Sequence, residues 1–474
     1  GKDPLSPARL AFLGVVALIP AASFSLFGNV NPYIVATEGV GMSVAKMLGG
    51  FALVYLVWVN AIYKRPFART GANVFVLLFA GILVFSYFVN PKTFMSTITM
   101  RRYLVMFVTF FLTVNLTKDE KHAKALALVL VAAYLLSAAV SLGGFVPAIK
   151  RGVFNTARLS GLSYGSAVRF GAGVTASALI TLYFLIVTPR RKWKIAAGIT
   201  LLILMYAVIR TYARSSYIAF PVGAALILYR LRRRVSPIYA VGFTLAAVVL
   251  ALAFVDTAAF LRRVGEIVNS PMKDFSYFER VSLLKVGARL IMQNPLLGIG
   301  PGNFGAFFTL EQFRSLADTF STTGRVLHSM YLQVLCNLGI LGMLGFLGVL
   351  WTSLKEYRFV RRSCGAGDSE ALKHTAGMFE IALIVTLLIA TVNAMEHWKL
   401  VWILLGIGPA LGSIRRKQIA QRPGDAVDVG AGRLVALADH GRPQARRPVD
   451  RVLPVAAVDV EVAVAGGGLD LDLP

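Results

Sequence analysis

Acidic residues are scarce in this chain: 23 Asp and Glu stand against 49 Lys and Arg, and charged residues of both signs fill only 15% of 474 positions. So thin a polar complement cannot solvate a globule in which 57% of residues are hydrophobic and mean hydropathy is +0.68. A soluble fold is excluded, and an all-α polytopic membrane protein is predicted. Cysteine is nearly absent. Cys336 in an apolar run and Cys364 in a basic loop offer neither a disulfide framework nor metal-ligand spacing. No H-x-x-x-H, D-x-D or paired-carboxylate cluster falls on the connections read below as external, so a metal-dependent mechanism lacks support and no cofactor is expected. Long basic runs are missing too. The +26 net charge is divided into short clusters between apolar segments, which speaks against a nucleic-acid partner and for the positive-inside rule.

What is present is a series of about twelve apolar segments of membrane-spanning length. They cover approximately 9–28, 45–63, 73–89, 101–116, 122–142, 169–188, 195–211, 214–231, 237–256, 327–354, 378–395 and 398–414. The first lacks an A-x-A cleavage site and is read as a retained span. Clusters such as Lys64–Arg65, Arg190–Lys194, Arg230–Arg234, Lys355–Arg362 and Arg415–Lys417 fall on alternate connections. That side is read as cytoplasmic. The expected organisation is spans one to nine in 1–256, an external loop in 257–326, spans ten to twelve in 327–417, and a disordered cytoplasmic tail in 418–474, where aromatic residues and hydrophobic periodicity both disappear.

Several basic residues break the rule on the external side. Lys150, Arg151, Arg158 and Arg169 lie between spans five and six, and Arg210 and Arg214 join spans seven and eight, four residues apart and on one face if that stretch is helical. Arg280, Lys285 and Arg289 follow in the large loop at helix-compatible spacing. Each taken singly is also what a snorkelling side chain at a lipid headgroup looks like. Three separate segments presenting guanidinium groups instead suit a phosphate or pyrophosphate, whose oxygens an arginine fork binds bidentately.

His328 opens the tenth span at the external mouth, as H-S, nine residues, then G-I-L-G ending in Gly342. A histidine there is either a cap or interfacial residue, or the group that handles a proton for a lipid-borne substrate. His397, in the external turn E-H-W-K, is its one serious rival; His122 and His374 lie in basic loops and His440 in the tail. Gly339, Gly342, Gly345 and Gly348 recur at three-residue spacing, as close helix packing requires.

These residues resemble the bacterial O-antigen ligases, within the group that includes O-antigen polymerases and pilin-type oligosaccharyltransferases. The likeness covers most of residues 9–417. H-S-x9-G-x-x-G at His328 matches the family's histidine motif, and the run from Arg280 to N-P-L-L-G-I-G-P-G-N-F at 294–304 resembles its loop helix and the turn before the catalytic segment. Arg158-Leu159-Ser160-Gly161 is similar to its R-x-S-G element, and Ala213-Arg214-Ser215 to its S-R-G element with both neighbours changed. The resemblance implies a lipid-linked glycosyltransferase fold of the GT-C kind, in the bacterial inner membrane, with its crater facing the periplasm. It implies an undecaprenyl-pyrophosphate-linked O-antigen donor and a lipid A core oligosaccharide acceptor. On that expectation His328 is the general base of a metal-independent, inverting transfer, with Arg280 and Arg214 catalytic. Arg210, Arg158, Arg169, Lys285, Arg289 and Asn303 are then substrate-binding. An O-antigen polymerase of the same family would use a second lipid-linked glycan as acceptor. A flippase or ion-coupled transporter is the reading from another class, but such proteins carry ionisable groups near midplane, and here Glu380, near the inner end of its span, is nearly alone while polar residues concentrate at the outer mouth.

Overall fold

The computed structural model describes residues 3–21, 43–145, 149–150, 157–162, 166–234, 275–310, 326–365 and 370–421. Nearly all belong to one compact unit, Gly1–Gln418. The expected span 237–256 and the tail beyond residue 421 lie outside the described residues.

The helices, in order, are α1 (Ser6–Ala17), α2 (Val44–Ile62), α3 (Gly71–Val89), α4 (Phe94–Leu116), α5 (Glu120–Leu142), α6 (Ala167–Val187), α7 (Arg191–Arg210) and α8 (Arg214–Arg230). After the undescribed stretch come α9 (Phe275–Gln293), α10 (Phe304–Phe308), α11 (Met330–Ser363), α12 (Glu370–Ala390) and α13 (Lys399–Ala420). Between α5 and α6, β1 (Ile149–Lys150) pairs antiparallel with β2 (Ala157–Arg158), a small departure from the all-helical expectation. Apolar runs become helices here because lipid offers the backbone no partners. Their starts are marked by short polar side chains: Ser43, Thr93, Asp119, Ser166 and Ser329 each accept a first-turn backbone N–H.

Among the described residues eight helices, α2 to α7, α11 and α12, are long and apolar enough to cross a membrane. The chain is therefore a multi-pass helical membrane protein. Helices α8 and α13 stand where further spans are expected, and α1 is a shorter apolar helix. Charged ends prolong the apolar segments, so that α11 runs on to Ser363 and α12 begins at Glu370.

Glu380 has its partners at the inner end of its span. It lies buried at the basic end, where Arg230 of α8 approaches its carboxylate at 3.0 Å and Arg361 of α11 at 2.5 Å. At the same end Arg416 Nη2 of α13 donates to both carboxylate oxygens of Glu356, at 2.6 and 2.8 Å. These pairs bind four helices at the end opposite His328.

The feature that shapes the other end is a break inside α11. Gly339 has φ 63° and ψ −167°, a conformation essentially confined to glycine. The backbone groups this frees are taken up by the turn that follows α9. Ile299 N–H donates to Cys336 C=O and Gly300 N–H to Asn337 C=O, both at 3.0 Å, while Ile340 N–H donates to Pro295 C=O at 2.8 Å and Leu341 N–H to Leu296 C=O at 3.3 Å. Four backbone hydrogen bonds thus stitch residues 295–300 into the interrupted helix, satisfying groups that would otherwise be orphaned. A Cβ on Gly339 would stand 2.2 Å from Leu296 O, and one on Gly298, where φ is 67°, would stand 2.4 Å from Asn337 C. The glycines along α11 therefore divide into two kinds. Gly345 and Gly348 let α11 press on Phe79 and Phe75 of α3, as their spacing predicts. Gly339 instead permits the break.

Gly339→Ala should accordingly lower the thermal midpoint of the detergent-solubilised protein by several degrees, because the backbone conformation alone costs roughly 1–3 kcal/mol before the collision is counted. Gly50→Ala, at a position where a Cβ meets nothing within 4 Å, should leave the midpoint unchanged or slightly raised. Equal melting of the two variants would contradict the stitched break.

Candidate active site

The two halves of α11 point in ways a continuous helix would not permit, and the first half presents His328. Ser329 caps it, accepting from Leu332 N–H at 3.4 Å, and His328 is exposed just before the cap. Its backbone is fixed from both sides. Leu327 N–H donates to Gln333 Oε1 at 2.6 Å, and Gln333 Nε2 donates in turn to Asn337 Oδ1 at 3.2 Å, with both amides at most 2% exposed. Gln333 and Asn337 escape the sequence reading although they leave a signal: two amides four apart on one face of an apolar helix.

Leu327 also ties His328 to α9. With Cys336, Ile299, Phe304 and Phe308 it forms a small core under Leu283, Val286 and Leu290, and Gly287 leaves room for its side chain. Arg280, half-buried, lies on the same helix a turn and a half from its start. Lys285 and Arg289 lie on the exposed side of α9. Asn303 goes inside: it is fully buried, its Oδ1 accepts from Thr93 at 2.7 Å, and its Nδ2 donates to Pro91 O and Ile299 O at 2.9 Å. The amide expected to meet substrate is thus engaged in holding the turn against the start of α4.

A second group forms where α7 meets α8. Arg210 ends one helix and Arg214, exposed, begins the next. They do not share a helix face. Tyr212 between them takes φ 50°, and Thr211 closes α7 by bonding Val208 O at 2.6 Å, so the chain reverses at once. Arg210 Nη1 donates to Tyr206 OH at 3.0 Å. Its carbonyl accepts Leu159 N–H at 2.9 Å, which brings the R-L-S-G element to the same turn; the Arg158 side chain lies outside the described part of the structure. Arg169 joins from α6, two residues before Gly171, whose open face lies against Thr211, Ala213 and Ser216.

The connection between α12 and α13 closes this group. Asn393 Nδ2 reaches Ser215 Oγ at 3.4 Å, next to Arg214. Glu396, 3% exposed, faces the charge of Arg169 and pairs at 3.1 Å with Nδ1 of His397. Burial pushes the Glu396 carboxyl up, but the adjoining His397 imidazole, a backbone hydrogen bond and the charge of Arg169 together hold it below the usual carboxylate range. Being depressed, it contributes stability above the unfolded pKa that is lost as pH falls through the folded one. The His397 ring stands edge-on to Tyr103, with centroids 4.3 Å apart. The rival histidine is thereby enclosed where His328 is exposed. Tyr331 OH, donating to Leu387 O at 3.2 Å, links the first turn of α11 to the end of α12 from which this connection leaves.

The exposed His328, the arginine-bearing helix and the arginine turn all lie at the end of a multi-pass bundle opposite its basic clusters. Residues 199–347 match the family Wzy_C, described as O-Antigen ligase, which supports the O-antigen ligase family for this chain. The matched stretch holds Arg210, Arg214, Arg280, Asn303, His328 and Gly339. No protein of curated function matches the chain.

Proposed function

We propose that the protein is an O-antigen ligase of the bacterial inner membrane, with the basic end cytoplasmic and the His328 end periplasmic. Its fold on this reading is a GT-C-like bundle of about twelve spans. The observation that carries the proposal is the exposed His328 at the head of a half-helix fixed by backbone hydrogen bonds to the turn after the Arg280 helix. Rigid placement of a proton acceptor beside cationic groups is what a transfer reaction needs.

His328 takes the proton of an acceptor hydroxyl on the lipid A core. The hydroxyl oxygen attacks the anomeric carbon of the donor glycan from the face opposite the leaving group. A new glycosidic bond forms, the bond from that carbon to the pyrophosphate oxygen breaks, and undecaprenyl pyrophosphate departs with the electron pair. One displacement inverts the anomeric configuration. Arg280 and Arg214, supported by Arg210, Arg158 and Arg169, neutralise the charge that gathers on the pyrophosphate, a kind of stabilisation worth roughly 3–4 kcal/mol per well-placed donor. The guanidinium groups do what a divalent ion would otherwise do.

Transfer of a labelled glycan from its undecaprenyl pyrophosphate carrier by the purified protein should therefore survive excess EDTA. Activity that vanished on chelation and returned with Mg²⁺ or Mn²⁺ would overturn the arginine-only assignment.

A further inference from the structure

Helix α9 is not one of the membrane-crossing helices, yet one side of it exposes large apolar residues: Leu284 is 47% exposed and Met292 72%. With Ala288, also exposed, they form a strip at four-residue spacing. The opposite side is spent on Leu283, Val286 and Leu290 in the core under Leu327. The strip is flanked by charge of one sign. Lys285 and Arg289, both exposed, run along one edge and half-buried Arg280 stands at the head of the other, and no acid occurs from Arg280 to the end of the helix. A narrow apolar strip between cations is the pattern of a helix lying in the membrane surface.

Continuity shows what covers it. Leu296, 62% exposed, follows Met292 in the turn and is hydrogen-bonded through its carbonyl to Leu341. Ile340, Leu341, Leu344 and Leu347 are exposed in their turn on the spanning part of α11. The apolar surface of a helix that crosses the bilayer thus runs without interruption onto α9. A protein partner would have no reason to continue a lipid-facing surface.

We infer that the outer face of α9 is a lipid-docking surface: Leu284, Ala288 and Met292 enter the headgroup–acyl boundary of the leaflet at the His328 end of α11, and Lys285 and Arg289 hold phosphates of anionic phospholipids. The cation stems reach along the strip while their charged ends stay with the headgroups. Lys285 and Arg289 then serve the membrane, while Arg280, on the edge nearer the helix start, is left for the active site. Because α9 and Leu327 share one core, seating α9 also fixes the depth of His328. A pyrophosphate carried on a lipid tail lies at that depth.

The test uses the full chain reconstituted in vesicles and does not depend on glycosyl transfer. Cys336 and Cys364 are buried, so a spin label can be placed on Leu284→Cys or Met292→Cys, with Leu344→Cys as the bilayer reference and Lys121→Cys as the aqueous one. Labels at 284 and 292 should be relaxed more by oxygen than by a water-soluble nickel chelate, as at 344. The label at 292 should also sit deeper when phosphatidylglycerol is added to phosphatidylcholine, and the combined change Lys285→Gln and Arg289→Gln should abolish that difference. Chelate relaxation at 292 as strong as at 121 would overturn the docking surface. A depth indifferent to phosphatidylglycerol in the unsubstituted background would overturn its anionic-lipid part.

Discussion

His328→Ala should leave a folded, membrane-inserted protein whose transfer rate falls at least about a hundredfold, the low end of what a positioned general base contributes. Folding should survive because the side chain is exposed and the structure around it is held by other groups. Ser329 caps the helix, Gln333 grips the Leu327 amide, and four backbone bonds seat the 295–300 turn. The loss should appear in kcat, with donor KM little changed, since proton removal matters only as the hydroxyl attacks. His397 gives the informative contrast. Its imidazole is enclosed between Glu396 and Tyr103, so replacing it leaves a buried carboxylate without its nearest partner and should lower the melting temperature first. The rate of the His397→Asn protein that remains folded should stay much nearer to normal. Near-normal turnover in His328→Ala would reduce that residue to an interfacial polar group.

Replacing arginine by lysine at the proposed leaving-group site should separate charge from geometry. If Arg280 and Arg214 merely snorkelled, either cation would serve, because each carries one positive charge to the same depth. A pyrophosphate held through a planar fork loses its bidentate contact when an ammonium takes the place of a guanidinium. Arg280→Lys and Arg214→Lys should each cost about tenfold or more in kcat/KM, equivalent to about 1.4 kcal/mol of transition-state stabilisation. Arg233→Lys, exposed at the basic end, should be indistinguishable from the unsubstituted protein. Equal activity in all three variants would remove the pyrophosphate assignment while leaving the fold intact.

Eight of the expected spans and the gathering of basic residues at one end are legible in the sequence because bilayer thickness and positive charge act on runs of residues, which composition records. The pairing of the Arg280 segment with the His328 motif is legible only as a resemblance; its cause lies in the backbone. The apolar run 327–354 reads as one helix, and nothing local announces that Gly339 breaks it, since the break is stabilised by carbonyls and amides some forty residues earlier in the chain. A similar blindness affects Arg210 and Arg214. Their spacing suits one helix face, but Tyr212 adopts a left-handed conformation and turns them onto two helices. Asn303 looks available in a glycine-rich turn, and its burial depends on Pro91 and Thr93 of a distant segment. Glu396 is visible in the turn E-H-W-K as an ordinary interfacial acid. Only the fold brings it to Arg169 and sets its histidine partner on Tyr103.

The measurement that bears most directly on the central claim is the product formed by the purified protein from an undecaprenyl-pyrophosphate-linked glycan and a lipid A core acceptor, analysed by mass spectrometry and NMR. The account predicts the core carrying the glycan through a bond of inverted anomeric configuration, with intact undecaprenyl pyrophosphate released in equal amount. Glycan appearing on a second lipid-linked glycan, a retained configuration, or no transfer at all would contradict it.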